Sequence, residues 1–141
     1  MPSNKIVLDT NCLLVSISKY GEAYPVWRGF LDGRYTLCVS TEILEEYEEI
    51  IGSMTTPEIA RNVVDAILKR KNVERIDPYF HWNLITADPD DNKFVDCAFA
   101  VGATCIVSDD SHFSVLRDIT FPQLLVLRLK GFLEALQKEE E

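Results

Sequence analysis

Four short and unbroken apolar runs constrain this chain more than any other feature: Ile6-Val7-Leu8, Leu37-Cys38-Val39, Cys105-Ile106-Val107 and Leu124-Leu125-Val126-Leu127. None alternates with polar residues, so strands made from them need cover on both faces. The first three end in Asp9, Ser40 and Ser108, residues suited to opening a loop, and the fourth follows the turn-prone pair Phe121-Pro122. Between the runs the apolar period becomes helical. After Ser40 and Thr41, either of which can serve as N-cap, Ile43, Leu44, Tyr47, Ile50 and Ile51 line one helix face, and Gly52 offers a stop. Residues Pro57 to Lys71 form a second such pattern, with Pro57 in the first turn. A third starts near Asp90 and carries Phe94, Val95, Ala98 and Phe99 to Gly102, and Leu129 to Leu136 forms the last. Strands alternating with helices predict an α/β domain whose mostly parallel sheet is covered on both faces. Ligands of such sheets gather at the carboxyl ends of the strands.

The 141 residues, 47% of them hydrophobic, suit one domain over the whole chain, with about 136–141 as a frayed acidic tail. Cys12, Cys38, Cys97 and Cys105 are irregularly spaced among apolar residues and read as buried free thiols. The N-terminus leads directly into the first strand without an apolar leader, so the expected location is cytoplasmic. A net charge of −9 is an unpromising total for binding phosphates, and the acids therefore call for a chemical account.

Those acids cluster. Asp9 ends the first apolar run and is followed by Thr10 and Asn11, while Ser108-Asp109-Asp110 follows the third. In a parallel sheet these ends share one rim, where like charges raise each other's proton affinity unless a cation intervenes; a hard divalent metal is the simplest resolution. Asp88-Pro89-Asp90-Asp91 enters the third helix, and Asp91 lies one turn before the apolar stripe of Phe94, Val95 and Ala98, so it is the acid expected to face inward. Asp96 falls on the side of Asn92 and is expected in solvent or behind the site. In the helix after Ser40, Glu46 and Glu48 each lie about 40° from an edge of the apolar stripe, and periodicity leaves the two undecided.

This ordered set resembles the PIN-domain family, in particular the PIN-family toxin components of toxin–antitoxin systems. The matching features are Val7-Leu8-Asp9-Thr10-Asn11, Ser40 with the helix Glu42 to Tyr47, Asp88 to Phe94 leading to Ala98 and Gly102, and Ile106-Val107-Ser108-Asp109-Asp110. The resemblance implies a three-layer α/β/α sandwich with a four- or five-stranded sheet, and a Mg²⁺- or Mn²⁺-dependent ribonuclease. It puts the four metal-holding, catalytic acids on Asp9, Glu46, Asp91 and Asp110, supported by Asn11 and Ser108. Asp109 stands where the family more often has Gly or Asn, so it joins the supporting residues. RNA as substrate, an antitoxin protein and a homodimer are the partners implied.

Lys69-Arg70-Lys71, Arg75 and Lys93 are candidate phosphate contacts, and Trp27, Tyr79, Phe80 and Trp82 are candidate stacking surfaces. His81 and His112 are the chain's two histidines, and neither is placed as an obvious base. Two other enzyme and signalling classes fit less well. A haloacid-dehalogenase phosphatase needs an Asp where Asn11 stands, and a receiver domain needs an acid at the end of Leu37-Cys38-Val39. A PIN-like fold retained as a binding module is the non-enzymatic alternative.

Overall fold

The computed structural model describes residues 4–119 and 123–139. Its centre is a five-stranded sheet of β1 (Lys5–Leu8), β2 (Thr36–Val39), β3 (Val73–Arg75), β4 (Cys105–Val107) and β5 (Val126–Leu127), in the order β3-β2-β1-β4-β5. All four pairings are parallel, and β1 lies in the middle, with Ile6 opposite Cys105 and Leu8 opposite Val107. Ile6, Val7, Leu8, Leu37, Cys38, Val39, Cys105, Ile106 and Val107 are all buried. That is the consequence of unbroken apolar runs: residues pointing to either face of the sheet meet a helix rather than water.

Helices α1 (Thr10–Ser16), α2 (Tyr24–Leu31), α3 (Thr41–Met54), α4 (Pro57–Lys69), α5 (Asn92–Val101) and α6 (Leu129–Glu139) supply that cover. Ser40 is the N-cap of α3, its hydroxyl accepting the Ile43 N–H at 3.2 Å, and Thr56 caps α4 in the same way just before Pro57. Gly52 does not stop α3, which continues to Met54. Helix α4 ends two residues short of the expected Lys71, because Arg70 has already turned to extended backbone. Gly102 does end α5, at φ +65, a left-handed conformation open to a residue without Cβ. The Tyr47 hydroxyl, buried under the sheet, donates to the Leu8 carbonyl at 2.6 Å and ties α3 to the last residue of β1.

The third helix begins later than expected: a 3-10 turn over Pro89–Asp91 precedes α5. A second 3-10 segment, Ser111–Asp118, follows β4. The fourth apolar run pairs only through Val126 and Leu127, and the turn assigned to Phe121-Pro122 lies outside the described residues. The C-terminal helix extends beyond Leu136, which is buried, to Glu139, which faces Arg34 at 3.6 Å. Glu140 and Glu141 are outside the described residues. All four cysteines are buried and unpaired, and burial pushes the thiols of Cys12, Cys38 and Cys97 up to about 12.

Candidate metal centre

The backbone of β1 runs into the site without a break. The Asp9 N–H donates to the Val107 carbonyl at 3.0 Å, which extends the β1–β4 ladder by one step and sets Asp9 beside Ser108. Ser108 then bridges two acids: its hydroxyl donates to Asp9 Oδ2 at 2.7 Å and accepts the Asp110 N–H at 3.0 Å. Asp9 is 7% exposed. Burial raises its pKa, the Ser108 and Thr10 hydrogen bonds oppose that rise, and the charges of Glu46 and Asp110 add to it.

Helix α3 delivers Glu46 rather than Glu48. Glu46 is half-buried, its carboxylate accepts the Thr10 hydroxyl, and the Lys93 ammonium stands 2.8 Å from its Oε1, whereas Glu48 is exposed. Lys93 thus provides a fixed cation at one side of the cluster.

Asp91 arrives from the turn before α5, where it is 8% exposed. Its pKa is pushed up to about 7, chiefly by burial and then by the charges of Asp110 and Asp88, with His112 pulling the other way. Asp110 starts the 3-10 segment after β4, its Oδ1 accepting the His112 N–H at 2.9 Å. The His112 ring had no assigned place in the sequence; it lies between two acids, with Nδ1 at 3.3 Å from both Asp91 Oδ2 and Asp110 Oδ1. Asp88, Asp91 and His112 each bring one donor atom within 4.8 Å of the others.

The remaining assignments divide. Asn11 is exposed and lines a cleft with Asp9, Asp109 and Asp110. Asp109 turns to α6 instead, accepting the Leu129 N–H at 2.9 Å and facing Arg128 at 3.6 Å. Asp96 is buried, contrary to the expectation of a solvated side chain. The loop after β3 folds over this side of α5, so Asp96 accepts the Trp82 N–H at 3.0 Å and holds His81 Nδ1 at 3.0 Å. Asn92 secures the same loop, its amide bonding both N–H and C=O of Ile85 at 2.9 Å.

Lys69-Arg70-Lys71 precedes β3 and so lies at the amino end of the sheet, away from the acids, while Arg75 ends β3 on their rim. Trp27 is a core residue packed on Phe30, and Trp82 packs between Phe80 and Phe99; Tyr79 and Phe80 are exposed.

A hard divalent ion fits this donor set. The groups gathered here are carboxylates, those of Asp9 and Asp91 buried, and burial first, then the charge of neighbouring acids, raises the proton affinity of both, which a bound dication would reverse.

The sequence matches the PIN domain family across residues 5–112. The chain belongs to the PIN-domain family. This PIN domain has the same fold as VapBC2 of Rickettsia felis, solved bound to a DNA fragment from their promoter. The TM-score is 0.61 with 18% identity, over 88% of this chain and 98% of that one. It is similar also to DNA-bound VapBC of Salmonella typhimurium (TM-score 0.57, 21% identity, 89% and 98% covered) and to the PIN domain endonuclease Utp24 (TM-score 0.54, 15% identity, 91% and 86% covered). Among curated proteins, none matches the sequence significantly. The family match agrees with the parallel α/β architecture.

Proposed function

We propose that this PIN domain is a metal-dependent ribonuclease that hydrolyses RNA phosphodiester bonds, with Asp9, Glu46, Asp91 and Asp110 holding Mg²⁺ or Mn²⁺. The observation that supports the reading is that acids from four separate segments lie near the carboxyl end of the central strands, close enough for their charges to act on one another, and burial together with that charge makes Asp9 and Asp91 hard to ionise without a counter-cation. Bound there, such an ion supplies an activated water and offsets charge on the scissile phosphate.

The chain's own residues orient that chemistry. Ser108 ties the side chain of Asp9 and the backbone of Asp110 together, and the Thr10 hydroxyl, next to Asp9 in the chain, donates to the Glu46 carboxylate. Lys93, held by Glu46, and Arg75 on the same rim are the positive groups that an RNA backbone would meet. Asn11 faces the cleft from its exposed side. Asp109 supports the site at a distance, by anchoring the start of α6.

The reading extends to partners. The similar structures include VapBC of two organisms and VapC20 of Mycobacterium tuberculosis, a Sarcin-Ricin loop cleaving toxin, which supports the toxin role for this chain and an antitoxin protein as its partner; a homodimer is part of the same proposal. No helix among the described residues is long and apolar enough to cross a membrane, and we place the enzyme in the cytoplasm.

The deciding experiment is cleavage of single-stranded and structured RNA with Mg²⁺, with Mn²⁺ and with EDTA, comparing the parent with Asp9→Asn. Metal-dependent cutting by the parent alone is expected. Equal cutting by both proteins, or none by the parent in either metal, overturns the assignment.

A further inference from the structure

We infer that Asp88, Asp91 and His112 form a mixed nitrogen–oxygen site for a divalent transition cation, Mn²⁺ in preference to Mg²⁺, with Asp91 shared between it and the strand-end acids. The inference rests on reading this rim as a divalent-cation centre, and it adds two ligands outside the set of four acids.

Three features of the structure converge on it. Asp88 caps the 3-10 turn that Asp91 ends, and a carboxylate oxygen of each lies within 4.8 Å of the other and of the His112 ring. The Asp88 side chain is oriented by the Asp90 N–H, which donates to its Oδ1 at 3.2 Å. His112 comes from the far side, after β4, and its backbone is pinned by the hydrogen bond to Asp110, so its ring is presented to Asp91 by a fixed turn.

The spacing suits coordination. Metal–oxygen distances near 2.1 Å put adjacent ligands of an octahedral ion about 3 Å apart and opposite ones about 4 Å apart. Here Nδ1 of His112 is 3.3 Å from Asp91 Oδ2, and all three donors fall within 4.8 Å of one another, so modest side-chain rotation closes the shell.

The identity of the ion follows from the donors. Mg²⁺ is held by oxygen ligands and water, whereas an imidazole in the set favours a first-row transition ion; two carboxylates with one imidazole keep the site hard enough for Mn²⁺. The other histidine cannot substitute, because His81 is committed to Asp96 on the other side of α5.

The two-histidine composition makes the test clean. Tag-free protein is titrated with Mn²⁺ and the bound ion examined by pulsed electron paramagnetic resonance for coupling to a histidine nitrogen, with isotope-labelled histidine as reference. Coupling is expected in the parent and in His81→Ala, and its loss in His112→Ala. His112→Ala and Asp88→Asn should each weaken Mn²⁺ binding by about tenfold or more while moving Mg²⁺ affinity far less. Should His112→Ala fail to fold, the parent and His81→Ala spectra still decide. Bound Mn²⁺ without nitrogen coupling, or no uptake of Mn²⁺, overturns the inference. A spectrum without nitrogen coupling alongside active RNA cleavage leaves the nuclease reading intact. A nitrogen-coupled ion in a protein that cuts no RNA does the reverse.

Discussion

The hydroxyl of Ser108 donates to the carboxylate of Asp9 at 2.7 Å across a sequence separation of 99 residues, and the same oxygen receives the Asp110 N–H. One small side chain therefore holds two acids that follow neighbouring strands. Ser108→Ala removes the interaction that opposes the rise in the Asp9 pKa and leaves the Asp110 amide without its acceptor. Isothermal titration should show divalent-ion affinity falling about tenfold, and chemical denaturation should show about 1–2 kcal/mol of lost stability.

Glu46 and Glu48 have equivalent places relative to the apolar stripe of α3, yet only Glu46 contacts Thr10 and Lys93. Glu46→Gln should reduce RNA cleavage by about a hundredfold or more, an effect the size of losing one charge-stabilising group. Glu48→Gln should cut RNA at the parental rate under the same conditions.

Asp109 and Asp110 are adjacent but work on different neighbours. Asp109→Asn should leave ion affinity within about twofold while lowering stability by about 0.5–1 kcal/mol, through the weaker acceptor at the start of α6. Asp110→Asn should weaken ion binding at least about tenfold, measured by the same titration.

Asp91 gives the ion-free protein a specific pH response. Its carboxyl is pushed up from 3.8 to about 7, so the folded state holds this proton more tightly than the unfolded chain does. The stability that this protonated group contributes is fully present below 3.8 and is lost as pH rises from there through about 7. In EDTA, calorimetry should therefore record a lower Tm near pH 8 than near pH 6. Asp91→Asn should flatten that decline and raise the Tm near pH 8 by roughly 3–6 °C, about 1–2 kcal/mol after allowance for solvent screening. Added Mn²⁺ should restore the parent near pH 8 and do little for the variant.

The loop over α5 depends on Asn92, whose buried amide makes both of its bonds to Ile85. Asn92→Ala should cost about 2–3 kcal/mol by leaving both backbone groups of Ile85 unpaired. Hydrogen exchange should show the Ile85 and Trp82 amides losing protection before those of β1.

What the sequence revealed, and what it hid, follows from how local each signal is. β1, β2 and β4 were readable because a strand covered on both faces leaves an uninterrupted apolar run. Edge strand β3, Val73-Glu74-Arg75, carries two charged residues and is only partly buried, so it has no such signature. Helix α1 is seven residues long and follows directly on Asp9, so it was hidden inside what reads as a loop. Asp91 could be placed from its spacing to Phe94 and Val95. Asp96 could not, because its burial comes from a loop arriving from elsewhere in the chain. His112 was beyond periodicity for a similar reason: its relation to Asp91 exists only once β4 has docked beside β1.

The strand order has a consequence for synthesis on the ribosome. β1 emerges first but takes its central place only when β4, about a hundred residues later, arrives to pair with it, and Ser108 and Asp110 come with that strand. A nascent or prematurely terminated polypeptide thus carries Asp9 and Glu46 without the other half of the cup. The complete set of acids cannot assemble until β4 and the residues just after it have been made.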